Sequence, residues 1–246
     1  MLLITDVASA HWLTAAFRAA SNPDYVFMNV PDGLLSPDWL WLGHGLYALL
    51  LILAFWRAPW RRLLDSSQLN VYLGSCVATM LLWTIKAGIT PGLNFHILGA
   101  TLLTLMFGWP LAIIAGGVVL AAVTLDGLTG WQAFSVNALL MIGLPVGVTW
   151  AVYRLVERLL PRNLFLYIFL CGYFGAALAM AATGLVSTAL YAVSGTYSLD
   201  HLFSQYLPFY LLMVFPEAVI TGSLIAMLVV YRPQWVATYD ENAYLR

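Results

Sequence analysis

Four histidines, two asparagines and one glutamate are the residues of this chain best suited to chemistry in an apolar setting. His96 lies in Pro91-Gly92-Leu93-Asn94-Phe95-His96-Ile97-Leu98-Gly99, at the mouth of an apolar stretch. An imidazole there is costly unless paired, and neutral imidazole is the commonest protein metal ligand. Two readings of His96 therefore stand side by side: a metal ligand, or a structural histidine with a satisfied ring. Asn137 sits midway along another apolar run, where it can hydrogen-bond across helices. Glu217, after Pro216 in the last apolar run, needs a partner or a proton, and Lys86 is an ammonium that could serve. The run Met28-Asn29-Val30-Pro31-Asp32-Gly33-Leu34-Leu35-Ser36-Pro37 predicts a tight turn at Pro31-Asp32-Gly33. Proline presets φ there, Asp32 bonds its own backbone and glycine accepts positive φ. Ser36 then reads as a helix N-cap with Pro37 at the first helical position. A plain turn outside a helix and part of a binding site are both compatible with that pattern.

The elements that must carry these residues follow from composition. Of 246 residues, 62% are hydrophobic and 9% charged, and mean hydropathy is +0.87. Soluble domains carry about 25% charged residues, so this surface cannot be clothed for water. A net charge of −1 with no basic stripe excludes a nucleic-acid binder, and the hydrophobicity excludes disorder. The two cysteines, Cys76 and Cys171, lie in apolar runs and read as packing. Residues 1–27 lack the basic start of a cleavable signal peptide. The fold class is all-α: a polytopic membrane helix bundle in the lipid bilayer.

A bilayer core of about 30 Å takes roughly 20 apolar residues of helix. Seven segments qualify as crossings: 38–56, 68–87, 93–107, 110–125, 131–153, 164–193 and 206–231. The third and fourth are short and divided by Gly108-Trp109-Pro110, so two spans are expected there, with a re-entrant hairpin as the alternative. Arg57, Arg61, Arg62, Arg154, Arg158, Arg162, Arg232 and Arg246 follow the odd-numbered segments 1, 5 and 7. By the positive-inside rule these ends are cytoplasmic, which places the N-terminus outside and the C-terminus inside. Arg18 and Lys86 remain outside, and His11, His44, His96 and His201 all fall in the outer half, with Asp32, Asp38, Asp126 and Asp200. Trp39, Trp41, Trp56 and Trp60 bracket the first span as interface anchors.

Small residues recur at helical spacing in the sixth segment (Gly172, Gly175, Ala176, Ala179, Thr183, Gly184), and Gly143 with Gly147 forms a GxxxG in the fifth. They suit close helix packing within one bundle, or a face for a partner subunit. Residues 8–20, with His11, Trp12 and Arg18, read as an amphipathic surface helix within an N-terminal extension, 1–27, ahead of one transmembrane domain, 28–246. The chain has no P-loop, no HExxH and no Ser/His/Asp cluster of recognisable spacing, so it is read as neither an ATPase nor an intramembrane enzyme.

These residues together resemble the substrate-capture (S) components of nickel and cobalt energy-coupling-factor transporters, the CbiM/NikM type. That family typically opens Met-His-Ile-Pro-Asp-Gly-Phe-Leu-Ser-Pro, which the run Met28 to Pro37 resembles. The stretch 91–100 is similar to its Gly-x-x-x-His-x-x-Gly element, and Ser135-Val136-Asn137-Ala138-Leu139 to its Asn-containing fifth-helix segment. Pro216 to Gly222 resembles its final Ala-Val-Ile-Glu-Gly stretch, with the glutamate displaced. The resemblance implies a nearly planar nitrogen site for nickel or cobalt. Its ligands in the family are the free N-terminal amine, the second residue's backbone nitrogen and imidazole, and a later histidine. Carried over, the metal positions are Met28, Asn29 and His96, and Asp32, His44, His11, Asn94 and Asn137 are expected as further substrate or supporting residues. Asn29 stands where the family has histidine, and 27 residues precede Met28.

The resemblance further implies a transmembrane coupling protein and ATPase subunits as partners, a bacterial-type inner (plasma) membrane, and no resident cofactor beyond a transported Ni or Co ion. The alternative is a non-transporting membrane accessory or scaffold subunit that keeps the fold without the metal site.

Overall fold

The computed structural model describes residues 30–85, 87–90 and 93–244. The expectations placed on residues 1–27, His11, Arg18, Met28, Asn29, Lys86 and Arg246 lie outside the described residues. The helices are α1 (Pro37–Arg57), α2 (Ser66–Thr84), α3 (Ala100–Phe107), α4 (Trp109–Leu125), α5 (Phe134–Leu159), α6 (Leu164–Val193) and α7 (Leu199–Tyr231). A 3₁₀ turn, Trp60–Leu64, joins α1 to α2, and π-helical turns lie within α5, α6 and α7. Four helices, α1, α5, α6 and α7, are long and apolar enough to cross a membrane, and α4 is a shorter apolar helix. With the composition, this makes the chain a multi-pass membrane protein.

Each of the seven expected stretches carries a helix, but the third departs from expectation. Its first part is not helical. Ala87–Thr90 (β1) and Leu93–Phe95 (β2) form an antiparallel hairpin, residues 96–99 are irregular, and only Ala100–Phe107 is α-helix. Eight residues of helix rise about 12 Å, well short of a 30 Å core, so α3 does not cross as a straight helix. The described residues are mostly helical, as the all-α class expects, with this short hairpin as an added element that the sequence did not show. Gly99 adopts φ +66 and breaks the helix on its N-terminal side, and Gly108 at φ +80 makes the sharp turn into α4.

Non-helical backbone at depth is tolerated only where protein satisfies its polar groups. Here Glu217 of α7 accepts the N–H groups of Leu98 (2.7 Å) and Gly99 (3.0 Å). Trp83 of α2 donates its indole N–H to the Leu98 carbonyl at 3.0 Å. At its other end α3 is met by the chain that follows α7. Thr238 donates its hydroxyl to the Leu105 carbonyl (2.8 Å), and Ala237 donates its N–H to Met106 (2.9 Å). Elsewhere, Thr79, Thr104, Thr124, Thr183 and Thr188 turn their hydroxyls back onto carbonyls one turn earlier in their own helices.

The core runs between α3, α4, α5 and the inner faces of α6 and α7. Leu105, Leu111, Ile113, Leu120, Met141 and Met180 are almost wholly enclosed. By contrast α2 exposes Leu69, Leu73, Val77, Leu81 and Ile85, a stripe repeating every four residues, and α1 exposes Leu42, Leu46, Leu49 and Ile52. Apolar faces of that extent are lipid-facing surface in a membrane protein. Gly172 of α6 packs within contact distance of Gly222 of α7, and a Cβ on Gly222 would run into the Tyr173 ring. The small residues of the sixth segment thus pack within the bundle. Gly147, the second glycine of the GxxxG, has nothing within 4 Å of its Cβ position. Cys76 and Cys171 are free and buried, as packing residues should be.

Candidate functional site

The site forms where two segments ahead of helices are held by side chains from distant parts of the chain. The first segment leads into α1. Gly33, at φ +79, and the Leu34 N–H to Pro31 carbonyl bond (3.3 Å) close the expected turn. Asp32 does not bond its own backbone, however. Its carboxylate accepts the Ala133 N–H at 2.9 Å, at the start of α5, where a negative charge suits the helix end. Gly130 leaves room for it, since a Cβ there would collide with the Asp32 carboxyl. Ser36 occupies the N-cap position in extended conformation, but its side chain makes no capping bond.

Asn137 provides the firmest hold on this segment. Its Oδ1 accepts the Val30 N–H at 2.9 Å, and its Nδ2 donates to the Val30 carbonyl at 2.9 Å and to Thr129 Oγ1 at 3.1 Å. The amide thereby pairs with one residue's backbone as a neighbouring strand would. Both Asn137 and Val30 are fully buried. His44, about two turns into α1, has Nδ1 2.8 Å from Ser135 Oγ and its ring edge-on to Trp41 at 5.7 Å. Asp32, His44 and Asn137 therefore all converge on the 133–137 turn.

His96 and Asn94 belong to the second segment, the hairpin and loop before α3. His96 is 4% exposed. Its ring packs against Trp83 with centroids 5.6 Å apart, and its Nδ1 lies 3.1 Å from the Ile97 carbonyl. A carbonyl can only accept, so Nδ1 carries the proton in this bond, and in the neutral ring Nε2 is then the nitrogen able to ligate a metal. Phe95, next to it, stacks on Tyr206 at 5.6 Å and meets Tyr210 edge-on at 5.9 Å, which seats the hairpin on α7. Glu217 and Trp83 fix residue 98 from both sides, and so hold the peptide that follows His96. Asn94 is buried in the same segment.

His201 stands apart, stacked on Tyr197 at 5.3 Å ahead of α7. Among the described residues no three His, Cys, Asp or Glu side chains gather as a metal cluster. The expected co-ligands of His96, Met28 and Asn29, lie outside the described residues, as does His11. The role of Glu217 is of another kind than the sequence suggested: its partners are two backbone N–H groups. Its buried position was legible, because a carboxylate in an apolar run must be answered. Trp83 gave no such signal, being one of ten tryptophans in an apolar chain.

A model of the family described as "CbiM: Cobalt uptake substrate-specific transmembrane region" matches residues 29–235. A search of curated proteins finds no match. Among solved structures, one titled "Crystal Structure of an transition metal transporter" superposes with a TM-score of 0.68 at 22% identity, covering 82% of this chain and 92% of that one. A second, titled "Crystal Structure of an Truncated Transition metal Transporter", gives 0.67 at 22% identity, covering 83% and 99%. At that identity the likeness speaks to the fold.

Proposed function

The chain belongs to the CbiM family of cobalt uptake substrate-specific transmembrane regions, and on that premise we propose that it captures a divalent nickel or cobalt ion for an energy-coupling-factor transporter. The observation that carries this reading is His96, buried, with Nδ1 protonated by its bond to Ile97 and its loop fixed by Glu217 and Trp83. A ligand held so rigidly selects by geometry, which is how nickel and cobalt sites discriminate. The backbone of Val30, clamped by Asn137, anchors the chain directly after Met28-Asn29, the family's other ligand positions.

Residues 28–246 form a single transmembrane domain, in which β2, residues 96–99 and α3 together make the third of seven crossings, and residues 1–27 are an extension before it. The N-terminus faces outward and the C-terminus the cytoplasm of a bacterial-type inner membrane. The gathering of basic ends supports that orientation. Arg62, after α1, donates to the Gln234 carbonyl, after α7, at 3.2 Å, and Tyr167, just after Arg162, meets Thr238 at 2.6 Å. Substrate enters from outside, and release follows reorientation driven by a transmembrane coupling protein and ATPase subunits.

Asn29 favours one other reading. An amide is a much poorer transition-metal ligand than an imidazole, and a scaffold subunit that kept the fold would tolerate it. Intact mass spectrometry with metal analysis on one purified sample separates the two. A chain beginning at Met28, with its free amine, and carrying stoichiometric nickel or cobalt is the expected result. A metal-free protein that stays so when either ion is offered would move the assignment to the scaffold.

A further inference from the structure

At the end of the bundle where α1 and α7 terminate, a cavity of about 400 Å³ opens between the 3₁₀ turn, the start of α2 and the chain after α7. Arg61, Arg62, Asp65, Gln68, Gln234 and Tyr239 supply its polar lining. We propose that this cavity binds the phosphate of an anionic lipid headgroup.

Arg62 is the central group of this cavity. Its Nε donates to Gln68 Oε1 at 3.0 Å and one terminal N–H to the Gln234 carbonyl at 3.2 Å. A guanidinium has five N–H donors, so three remain after those two. Among the described residues Arg62 forms no ion pair, although it is partly buried. Burial pushes its pKa below the ordinary arginine value, since no carboxylate offsets the desolvation. Arg61 adds a second guanidinium from the same turn. Tyr239, 7% exposed, has a buried hydroxyl with no hydrogen-bond partner. Asp65 is the opposing charge on the cavity wall, and its carboxylate already accepts the Ser67 N–H at 2.8 Å. Asp240 and Glu241 follow Tyr239 but do not line the cavity. A guanidinium oriented by two hydrogen bonds, with a second on the same turn, suits the recognition of a phosphate.

Location decides for a lipid over a free ion. The cavity lies at the ends of two helices long enough to cross the bilayer, α1 and α7, hence at headgroup depth in whichever leaflet it faces. Trp56, 75% exposed in the last turn of α1, has Arg57 over its ring at 5.1 Å, and Arg232 lies over Trp235 at 5.7 Å, the aromatic and basic belt of a membrane interface. Leu64, 84% exposed on the same turn, offers acyl chains a surface.

The test is native mass spectrometry of the full chain in mixed micelles containing phosphatidylglycerol and phosphatidylcholine of matched acyl chains. The parent retains phosphatidylglycerol preferentially, and Arg61→Gln/Arg62→Gln lowers that retention about 25-fold, each basic side chain near a membrane contributing roughly fivefold. Arg61→Gln alone, which breaks no hydrogen bond within the fold, lowers it about fivefold, so the outcome does not hang on the double variant folding. A parallel sample with inorganic phosphate and no anionic lipid separates the sources: phosphate adducts without lipid selectivity overturn the lipid assignment. Equal retention of both lipids by the parent, or undiminished retention in Arg61→Gln, also overturns it and leaves the cavity to a protein partner.

Discussion

His96 is held by a carbonyl on Nδ1, an indole face, and a loop whose N–H groups end on Glu217. Replacing Glu217 with Gln keeps one acceptor and turns an NH₂ towards the other N–H. The expected cost is about 1–3 kcal/mol of stability with weakened metal binding, measured by denaturant unfolding and metal titration on the same preparation. Undiminished binding at lowered stability would make Glu217 purely structural. Asn137→Asp keeps the acceptor for the Val30 N–H but loses both donated bonds and sets oxygen against oxygen at the Val30 carbonyl. Metal affinity should fall roughly tenfold for about 1–2 kcal/mol of lost organisation, with His96 untouched. An affinity equal to the parent's would detach the Val30 clamp from the site. At this scale the sequence revealed which residues were out of place in an apolar chain, Asn137 and Glu217 among them. Their partners were not legible, because those partners are backbone groups 107 and about 118 positions away.

Among the elements, close packing between α6 and α7 rests on Gly172 and Gly222, whereas Gly147 faces open space. Gly222→Ala drives a methyl into the Tyr173 ring and should destabilise by about 1–3 kcal/mol. Gly147→Ala should be neutral or slightly stabilising, because alanine is the better helix former. Thermal unfolding of the two variants in one detergent checks both, and equal effects would contradict this packing. The spacing of small residues marked both glycines alike. Only the three-dimensional contacts separate a packed pair from an unused one. The helices themselves were largely legible from apolar run length and from the Arg-rich ends. The hairpin before α3 was not, since Leu93-Asn94-Phe95-His96-Ile97-Leu98 is as apolar as a helix start. It is Gly99 and the distant Glu217 that stop the helix from extending backwards.

For the molecule as a whole, three chain segments that each begin with an arginine, 57–68, 162–167 and 232–244, assemble at one end of the bundle through Arg62–Gln234 and Tyr167–Thr238. Their common side was readable from charge alone, although no contact between them was. Because Cys76 and Cys171 are buried, single introduced cysteines report topology over a silent background. Asp200→Cys should react with an impermeant thiol reagent applied outside intact cells, and Ser67→Cys only after lysis; the reverse pattern would invert the orientation. The central claim is that this bundle captures a transition-metal ion through His96. Equilibrium binding of nickel and of cobalt to purified parent and His96→Ala, both shown to be folded, tests it most directly. Saturable, near-stoichiometric binding of at least one ion by the parent and none by the variant is the expected result. Equal affinity in the two proteins would contradict it and remove His96 from the site.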